Sequence, residues 1–240
     1  MAELKKPWPN SDSSPWDEIE FVRDALFSKS KNNIGAIILA AGSASRIGHR
    51  PKCLLELNNE PLLQRLVHAT LHAGINSIVV VLGHYAEQIK PIVTRLPVTL
   101  AHNANPDAGQ NSSLHCGLRA LPQSLDAVMV LLADQPLIAA QDIDDLLRAY
   151  RNRPQTAEVV VPMSDQRPGN PVIFSDAVRT AILNRDDAFG CKQWQQENSE
   201  RVYRWQTANE HYRIDIDSAD DIAAFIARTG KSLRWPADIE

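Results

Sequence analysis

The sequence predicts an α/β protein with a mainly parallel sheet and helices on both faces, which is a three-layer α/β/α architecture. Continuously apolar runs rich in β-branched residues alternate along the chain with segments whose apolar residues recur at helical spacing. Strands that are covered on both faces have such runs. Their alternation with helices favours βαβ units with right-handed crossovers. We therefore predict a single α/β domain over residues 34–230.

The domain opens with three strands and two helices. GAIILA (35–40) and SIVVVLG (77–83) are predicted strands because they are almost wholly apolar, and VTLAH (98–102) is a shorter third strand. Residues 61–74 and 85–96 have the apolar period of helices. The first of these helices ends at a glycine, which is typical of a C-cap.

The middle of the domain continues the alternation. NSSLHCGLRAL (111–121) and AQDIDDLLRAYRN (140–152) are predicted helices because their apolar residues recur every three to four positions. AVMVLLAD (127–134) and EVVVP (158–162) are predicted strands of the same buried type as the earlier ones.

The pattern is looser towards the end of the chain. NPVIF (170–174) is predicted to be a strand and SDAVRTAIL (175–183) a helix. YRIDID (212–217) alternates apolar and polar residues, as a half-buried strand does. SADDIAAFIAR (218–228) is predicted to be a helix with Ser218 as its N-cap.

Two terminal segments lie outside the predicted domain. Residues 1–33 form a polar extension, within which WDEIEFVRDALFSK (16–29) has the spacing of one amphipathic helix. We expect that helix to pack on the surface or on a partner protein. Residues 231–240 are predicted to be a C-terminal tail.

Composition and charge exclude several classes of protein. The net charge is −4 and the isoelectric point about 6.0, so the chain lacks the surplus of Lys and Arg that nucleic-acid and membrane-surface proteins need. No apolar run approaches the roughly 20 residues of a membrane span. The N-terminus has no apolar core of a secretory signal. We expect a cytoplasmic protein that binds neither nucleic acid nor membrane.

The three cysteines, Cys53, Cys116 and Cys191, are odd in number and far apart. This spacing disfavours both a disulfide framework and a cysteine-based zinc site. A reducing compartment fits such usage. Cys53 follows Lys52, whose charge would lower the pKa of an accessible thiol. The alternative, which we favour, is a small and partly buried apolar residue.

The stretch LAAGSASRIGHRPK (39–52) follows the first predicted strand directly. A glycine-containing turn at the carboxyl end of a parallel strand is where open α/β sheets bind phosphate groups through backbone N–H donors. Arg46, His49, Arg50 and Lys52 add positive charge. Neither G-x-G-x-x-G nor a Walker A pattern is present. The sequence therefore predicts a phosphate-binding loop of a third kind.

LLADQPLI (131–138) ends another apolar strand with a carboxylate. Asp134 is predicted to stand at the carboxyl-terminal tip of its strand, because the residues before it are apolar and Pro136 stops the strand. Mg²⁺ is a hard cation that prefers oxygen ligands and is commonly bound through one or two carboxylates. The sequence thus places a candidate magnesium ligand at the same edge of the sheet as the loop.

The stretch LAAGSASRIG (39–48), followed by Lys52, resembles the L-A-A-G-x-S-x-R-x-G start of the MobA-like nucleotidyltransferases, with Ala44 in place of the pattern's serine; among them it most closely resembles the molybdenum cofactor cytidylyltransferases. Three further segments are similar to family segments: GQNSSLHCGL (109–118), QRPGNPVIF (166–174) and DIDSADDI (215–222). The family's G-D-x-G-A-R stretch is only loosely echoed by residues 186–194. The resemblance covers residues 34–228 and implies a Rossmann-like fold of the nucleotide-diphospho-sugar transferase type.

Nucleotidyl transfer joins two anions, so the protein must mainly position them and neutralise charge. Arg46 would clamp the leaving phosphates as a planar fork, and Lys52 would act as a point charge at the α-phosphate. Asp134 and one of Asp215 and Asp217 would hold Mg²⁺; either acid of the pair fits, and we favour Asp217. Five consecutive residues would form the backbone cradle for the nucleotide: Leu39, Ala40, Ala41, Gly42 and Ser43.

The resemblance also assigns a base pocket and an acceptor pocket. Segment 109–118 lines the nucleobase pocket in the family, and segment 166–174 is assigned to the acceptor. In this chain the corresponding residues are Asn111, Ser112, Ser113 and Gly117 for the nucleotide, and Gly169, Asn170 and Pro171 for the acceptor. Plainer explanations stay open, because the first group could be a helix start, the second a turn, and Asp217 with Ser218 a helix cap.

Taken together, these features predict a Mg²⁺-dependent nucleotidyltransferase that uses CTP. The acceptor that the resemblance implies is the phosphate of molybdopterin, giving molybdopterin cytosine dinucleotide for a molybdenum hydroxylase. The L-A-A-G form is the reason for preferring CTP. A first alternative is a nucleotidyltransferase that uses GTP or another acceptor, such as a sugar or alditol phosphate. A second alternative is a non-catalytic maturation chaperone that binds the cofactor for an apo-enzyme.

Overall fold

In the computed structural model of this protein, residues 33–237 and 239 are described. The helix predicted within residues 16–29 lies outside the described residues. None of the helices in the described part of the chain combines the length and apolar character needed to cross a membrane.

The described residues form eleven strands and seven α-helices. The strands are β1 Ile34–Ala40, β2 Glu56–Leu57, β3 Glu60–Pro61, β4 Ser77–Leu82, β5 Thr99–His102, β6 Ala127–Leu132, β7 Val159–Ser164, β8 Arg167–Pro168, β9 Val172–Ser175, β10 Val202–Gln206 and β11 Leu233–Arg234. The helices are α1 Leu62–His72, α2 Ala86–Val93, α3 Gln110–Ala120, α4 Ala140–Arg151, α5 Asp176–Leu183, α6 Cys191–Glu197 and α7 Ala219–Thr229.

The main sheet has the strand order β10-β7-β9-β6-β1-β4-β5, with β8 paired to β7. β1 pairs in parallel with β4 and β6, and β4 pairs in parallel with β5. β9 is antiparallel to both β6 and β7. A tight turn explains this reversal, because Asp165 and Gln166 have φ of 49° and 60° and send the chain back after β7. The predicted, mainly parallel sheet is confirmed.

Two apolar clusters cover the two faces of this sheet. Ala36 and Ile38 of β1 belong to a cluster that includes α1, α2 and α4, whereas Ile37 belongs to a second cluster with α3, α5 and α6. Alternate residues of one strand therefore serve opposite layers, as the pleat requires. The predicted three-layer architecture is confirmed.

A smaller sheet, of order β11-β2-β3, lies over a third apolar cluster. Ile47 from the loop after β1, Phe225 of α7 and Leu233 of β11 are buried together in it. Residues 231–240, predicted to be a tail, thus contribute a strand whose Leu233 is 2% exposed. The guanidinium of Arg50 also stacks over the Trp235 ring, 4.4 Å from its centroid.

One secondary-structure prediction was wrong, and two longer elements were not predicted. Residues 212–217 do not form a strand: a 3₁₀ turn spans Glu210–Arg213 and an irregular segment follows it. The strand next to β7 at this edge of the sheet is β10, Val202–Gln206, which pairs with β7 in parallel. β10 and α6 were not predicted, since both have mixed polar and apolar residues and neither shows a clear period.

Candidate functional site

The loop that follows β1 opens onto a cavity of about 420 Å³ at the carboxyl ends of the parallel strands. The cavity is bounded by residues 39–46 and Lys52 from that loop, and by segments that follow β4, β5 and β6. Open α/β sheets bind their ligands at this edge, near the point where chain connections leave in opposite directions. All five residues of the predicted backbone cradle, 39–43, line this cavity.

The loop keeps its shape through unusual backbone conformations and one buried anchor. Ala44, Gly48 and His49 have φ of 49°, 74° and 54°, in the left-handed region that non-glycine residues rarely adopt. Between them lies a 3₁₀ turn, Ser45–Ile47, whose Ile47 is 4% exposed. The loop is therefore bent tightly around its anchor, and its polar side is left facing the cavity.

Tyr85 supports the same loop from the next strand connection. Its hydroxyl donates a hydrogen bond to the backbone carbonyl of Ser43 at 2.7 Å. Both residues line the cavity. Sequence reasoning missed Tyr85, because the residue stands at the start of a predicted helix and no motif marks it. The bond joins the loop after β1 to the connection after β4.

Lys52 connects the two carboxylates that were predicted as metal ligands. Its ammonium nitrogen lies 2.8 Å from Oδ2 of Asp134 and 2.7 Å from Oδ1 of Asp217. Arg46 Nη2 lies 2.9 Å from the other oxygen of Asp217. The structure thus gathers four predicted residues, which are far apart in the sequence, into one cluster of charges. Burial lowers the pKa of Lys52, but the charges and hydrogen bonds of the two carboxylates outweigh it and raise the pKa overall.

The two cations of the cluster differ in exposure. The side chain of Lys52 is 17% exposed and that of Arg46 is 73% exposed. Lys52 is therefore held in place by the surrounding chain, whereas Arg46 extends into solvent and pairs with Asp217 from outside. A ligand that enters the cavity meets the Arg46 side chain first.

Asp134 and Asp217 fit a hard divalent cation. Oδ1 of Asp134 is buried and has no hydrogen-bond partner, so an oxygen ligand is left unused at the cavity wall. Mg²⁺ at nucleotide sites is held by one or two carboxylates, with substrate phosphates completing its shell. Within the described ranges, no group of three or more His, Cys, Asp or Glu side chains is placed to hold a metal. A cation here would therefore take its further ligands from water or from a bound ligand.

Asp215 belongs to the electrostatic surroundings of this pair. It does not line the cavity, and its residue is exposed. Partial loss of hydration raises the pKa of Asp215, and the negative charges of Asp134 and Asp217 raise it further. Ile216, which lies between the two acids, is 1% exposed, so exposed and buried side chains alternate here although these residues form no strand. The structure places Asp217, rather than Asp215, against Lys52.

The helix-cap explanation for Asp217 is wrong. Ser218 caps α7, because its hydroxyl accepts the backbone N–H of Asp221 while the Asp221 carboxylate accepts the backbone N–H of Ser218. The predicted N-cap is confirmed. The Asp217 carboxylate takes no part in this cap and faces Lys52 and Arg46, while the backbone N–H of Asp217 donates to the Asp221 carboxylate at 3.0 Å.

The predicted base-pocket residues are divided among three environments. Ser113 lines the cavity, together with Gln110 one turn earlier on α3. Ser112 is buried beside it, and Asn103 Nδ2 donates to both hydroxyl oxygens at 2.9 Å. Asn111 turns away from the cavity and donates to the carbonyl of Ala188 at 2.6 Å.

Gly117 has a packing environment instead of a ligand environment. A Cβ at this position would lie 2.6 Å from Cγ2 of Ile37 and 3.0 Å from Cγ2 of Val81, so the glycine allows α3 to approach β1 and β4 closely. The residue is buried and does not line the cavity. The structure therefore gives Gly117 a packing role, and a contact of Gly117 with the nucleotide stays a prediction.

A face of α3 that sequence reasoning did not recognise holds the segment after α5. His115 is fully buried, and its Nε2 lies 2.8 Å from the carbonyl oxygen of Phe189. Arg119 donates to Asp187 at 2.7 Å, which lowers the pKa of that carboxyl. With Asn111 these residues are spaced four apart on one helical face. They attach residues 187–189 to the helix whose first turn borders the cavity.

The predicted acceptor residues lie away from the cavity. A Cβ at Gly169 would lie 2.5 Å from the carbonyl oxygen of Tyr212, so only glycine permits this close approach. Asn170 donates its backbone N–H to the same carbonyl at 2.8 Å, and the bond to Pro171 is cis. None of the three lines the cavity. A role of these residues towards an acceptor stays a prediction.

Cys53 lies at the base of the cavity and is 5% exposed. Burial raises the pKa of its thiol to about 12, and the charge of Lys52 lowers it only slightly. The burial and the raised pKa of Cys53 thus agree with the apolar interpretation of this residue.

Comparison with known proteins places these features in a family. A family model described as the MobA-like NTP transferase domain matches residues 36–202. Among curated proteins, the bifunctional protein GlmU of Mycobacterium ulcerans is 28% identical over 221 residues, which cover 85% of this chain and 45% of that protein. The chain thus spans less than half the length of the curated relatives it matches.

Solved structures show the same fold. Rv0371c from Mycobacterium tuberculosis matches with a TM-score of 0.68 at 21% identity, covering 82% of this chain and 100% of that one. A manganese complex of Rv0371c matches with a TM-score of 0.63 at 22% identity, covering 81% and 98%. The 4-diphosphocytidyl-2C-methyl-D-erythritol synthase of Anaerococcus prevotii matches with a TM-score of 0.62 at 19% identity, covering 82% and 98%.

Identities this low establish the fold alone, and they confirm the predicted nucleotide-diphospho-sugar transferase type of Rossmann-like fold. The family is established by the sequence model, whose match extends from β1 to the start of β10 and includes the loop after β1 and Asp134. The chain therefore belongs to the MobA-like NTP transferase domain family.

Proposed function

We propose that this protein is a nucleotidyltransferase that moves CMP from CTP to the phosphate of a molybdopterin-type acceptor, with release of pyrophosphate and with Mg²⁺ as the metal. The observation that carries the proposal is the position of Lys52 between Asp134 and Asp217 at the mouth of the loop cavity. That cluster combines a mostly buried cation, an exposed cation and oxygen ligands, and the joining of two anions requires such groups.

The loop after β1 positions the triphosphate. Its backbone from Leu39 to Ser43 borders the cavity, and the Tyr85 hydroxyl fixes one of its carbonyls. Arg46, which is mostly exposed, closes over the leaving phosphates through a planar fork of donors. The entropic cost of ordering the triphosphate is reduced because the loop is already bent into shape.

Lys52 holds the reacting phosphate. An ammonium has three donors, and the two carboxylates take two of them. The third remains for an oxygen of the α-phosphate, where negative charge must be offset during attack. Asp134 and Asp217 would hold Mg²⁺, which when bound supplies charge neutralisation and a template for phosphate oxygens. The acceptor phosphate is already ionised, so no strong general base is needed.

Two features support the finer specificity. The L-A-A-G form of the loop resembles that of the cytidylyltransferases, and the fold is shared with a synthase named for a diphosphocytidyl product. The motifs at residues 109–118 and 166–174 resemble those of molybdenum cofactor enzymes. An apo molybdenum hydroxylase would then receive the product.

Thermal unfolding with added nucleotides tests the proposal. CTP, GTP, ATP and UTP are each added with and without Mg²⁺ to the wild type and to Asp134→Asn, because a ligand of the native state raises its stability by mass action. We expect a Mg²⁺-dependent rise with CTP that the variant lacks. A rise with GTP alone would contradict the choice of base, and no rise with any nucleotide would contradict the nucleotide site.

A turnover assay tests the acceptor. Pyrophosphate release from CTP is measured with molybdopterin, with a sugar phosphate and with no acceptor. We expect release with molybdopterin only, and a loss of at least about 100-fold in Lys52→Met, since removal of one donor at a developing charge costs that much in other enzymes. Release with a sugar phosphate alone would replace the proposed acceptor.

A further inference from the structure

The segment that carries Asp217 is irregular from Ile214 until α7 begins at Ala219. Its C-terminal end is held by α7, because the backbone N–H of Asp217 donates to the Asp221 carboxylate at 3.0 Å, and the buried side chain of Ile216 anchors its middle. Residues 209–213 belong to neither a strand nor an α-helix, and specific hydrogen bonds hold them. The contacts of residues 209–216 show which groups do so.

A buried carboxylate on α4 receives most of these contacts. Asp142 is 3% exposed. Its Oδ1 accepts from Nδ2 of Asn209 at 2.5 Å, and its Oδ2 lies 3.1 Å from Nδ1 of His211. The backbone carbonyl of Asp142 also accepts the hydroxyl of Tyr212 at 2.6 Å. One residue of α4 thus binds three polar groups of the segment that leads to Asp217.

These contacts exceed what a helix cap requires. Asp142 lies in the first turn of α4, where its Oδ2 also accepts the backbone N–H of Ala139 at 2.8 Å. That single bond caps the helix, and a carboxylate has about four acceptor positions. The other acceptor positions of the Asp142 carboxylate bind Asn209 and His211, which belong to a different part of the chain.

Further bonds continue the connection to the charged cluster. The carbonyl of Tyr212 accepts Nε2 of Gln135 at 3.0 Å, and the backbone N–H of Ile216 donates to the carbonyl of Asp134 at 3.1 Å. Gln135 follows Asp134 directly in the sequence. The two segments that supply the acids are therefore attached to each other at several points, and Asp142 lies at the buried end of this attachment.

We propose that Asp142 is a positioning residue, which fixes residues 209–217 so that the Asp217 carboxylate faces Asp134 and Lys52. The proposal rests on the proposed function in one respect, namely that Asp134 and Asp217 hold the divalent cation. Groups that are hydrogen-bonded to a metal ligand commonly change metal affinity by about 10- to 100-fold when they are removed, and Asp142 acts one contact further out, so the lower end of that range applies. The expected loss of affinity in an Asp142 variant is therefore about tenfold.

Asp142→Asn is the informative change, and Asp144→Asn is its matched control. The amide introduced by Asp142→Asn can still accept from Ala139, but its NH₂ group would point at the donors of Asn209 or His211. Asp144 lies on the same helix, is half-buried, and its carboxylate has no hydrogen bond or ion pair among the contacts of the described residues. Full-length protein is used for both, and Asn209→Ala serves as a milder variant if Asp142→Asn does not fold.

Two readouts decide the question. Mn²⁺ binding is titrated in the presence of CTP, and amide hydrogen exchange is followed for the peptide that spans residues 209–218. We expect Asp142→Asn to bind Mn²⁺ about tenfold more weakly and to exchange faster in that peptide, while Asp144→Asn matches the wild type. Unchanged exchange in a folded variant, or unchanged Mn²⁺ affinity, would overturn the positioning role.

The same experiment separates this proposal from the proposed function. If the wild type binds no Mn²⁺ even with CTP, the proposed function fails, and hydrogen exchange alone decides whether Asp142 fixes the segment. If the wild type binds Mn²⁺ and Asp142→Asn equals the control in both readouts, the positioning role fails while the proposed function stands.

Discussion

Lys52→Met gives the most direct prediction from the charged cluster. Methionine keeps the length and the apolar stem of the side chain but removes the ammonium, which lies 2.8 Å and 2.7 Å from the two carboxylates. Asp134 and Asp217 then face each other without the cation between them. Their mutual repulsion and their incomplete hydration both destabilise the native state.

The exposed fractions of the three side chains set the magnitude. They are 17% for Lys52, 23% for Asp134 and 33% for Asp217, so the cluster lies between the surface and the interior. Breaking a fully buried pair costs about 3–5 kcal/mol, and an exposed pair contributes about 0–1 kcal/mol. We therefore expect a loss of about 2 kcal/mol, which lowers the melting temperature of a domain of this size by about 6 °C.

A divalent cation should restore part of this loss. In the variant, the ion can bind between the carboxylates without competing with an ammonium, so its stabilisation by mass action should exceed that of the wild type. The assay is thermal unfolding in EDTA and in Mg²⁺ for the wild type, Lys52→Met and Lys90→Met, whose lysine is exposed on α2. The reasoning is refuted if Lys52→Met melts with the wild type in EDTA, or if Mg²⁺ raises both equally.

Three further predictions concern separate contacts. Tyr85→Phe removes one hydroxyl bond to the loop, worth about 1 kcal/mol, so the Kd for CTP should rise about fivefold in titration calorimetry; an unchanged Kd would contradict the role of this bond. Cys53, whose pKa is raised to about 12 by burial, should react with Ellman's reagent at pH 8 only after unfolding, and fast reaction of the native thiol would contradict its burial. The pKa of Asp187 is lowered by Arg119, so Asp187 stabilises the native state above its unfolded pKa of 3.8. Asp187→Asn should therefore have a lower urea midpoint than the wild type at pH 6, a difference that disappears as pH falls through the folded pKa, and a constant difference would contradict this linkage.

The loop after β1 and Asp134 were predictable because each follows a strand that the sequence marks clearly. Residues 35–40 and 127–134 are apolar runs, and the end of such a run fixes where the next polar residues stand. The carboxyl ends of parallel strands meet at one edge, so both segments had to lie close together. Local pattern and sheet geometry are sufficient for this part of the site.

The base-pocket prediction treated a helical segment as one unit, and the structure divides that segment among three directions. Residues 109–118 lie largely on α3, so their side chains point in different directions. Ser113 faces the cavity, Asn111 faces the segment after α5, and Gly117 faces the sheet. The helical period of 3.6 residues per turn predicts that these three side chains point in different directions, but the sequence does not show which direction faces the cavity.

Residues 212–217 were predicted to be a strand because apolar and polar residues alternate there. An irregular segment with one buried side can show the same alternation. Tyr212 and Ile216 are buried and Asp215 is exposed, as in a half-buried strand. The segment nevertheless makes its bonds to Gln135, Asn170 and the carbonyl of Asp134. Contacts through a main-chain carbonyl leave no mark on residue type, so no pattern in the sequence could have identified them.

Under the proposed function, the balance of charge is the physical reason to expect that the cluster needs a further cation. Arg46 and Lys52 are outnumbered by three carboxylates, those of Asp134, Asp215 and Asp217. Partial loss of hydration raises the pKa of Asp215, and the negative charges of Asp134 and Asp217 raise it further. The group is thus negative before any ligand arrives, and a triphosphate adds several more negative charges. Two side-chain cations cannot neutralise that total. A divalent ion held by Asp134, whose Oδ1 has no hydrogen-bond partner, would reduce the repulsion between the carboxylates and the triphosphate. Nucleotide binding in EDTA should therefore be weak even though the loop cavity is already formed.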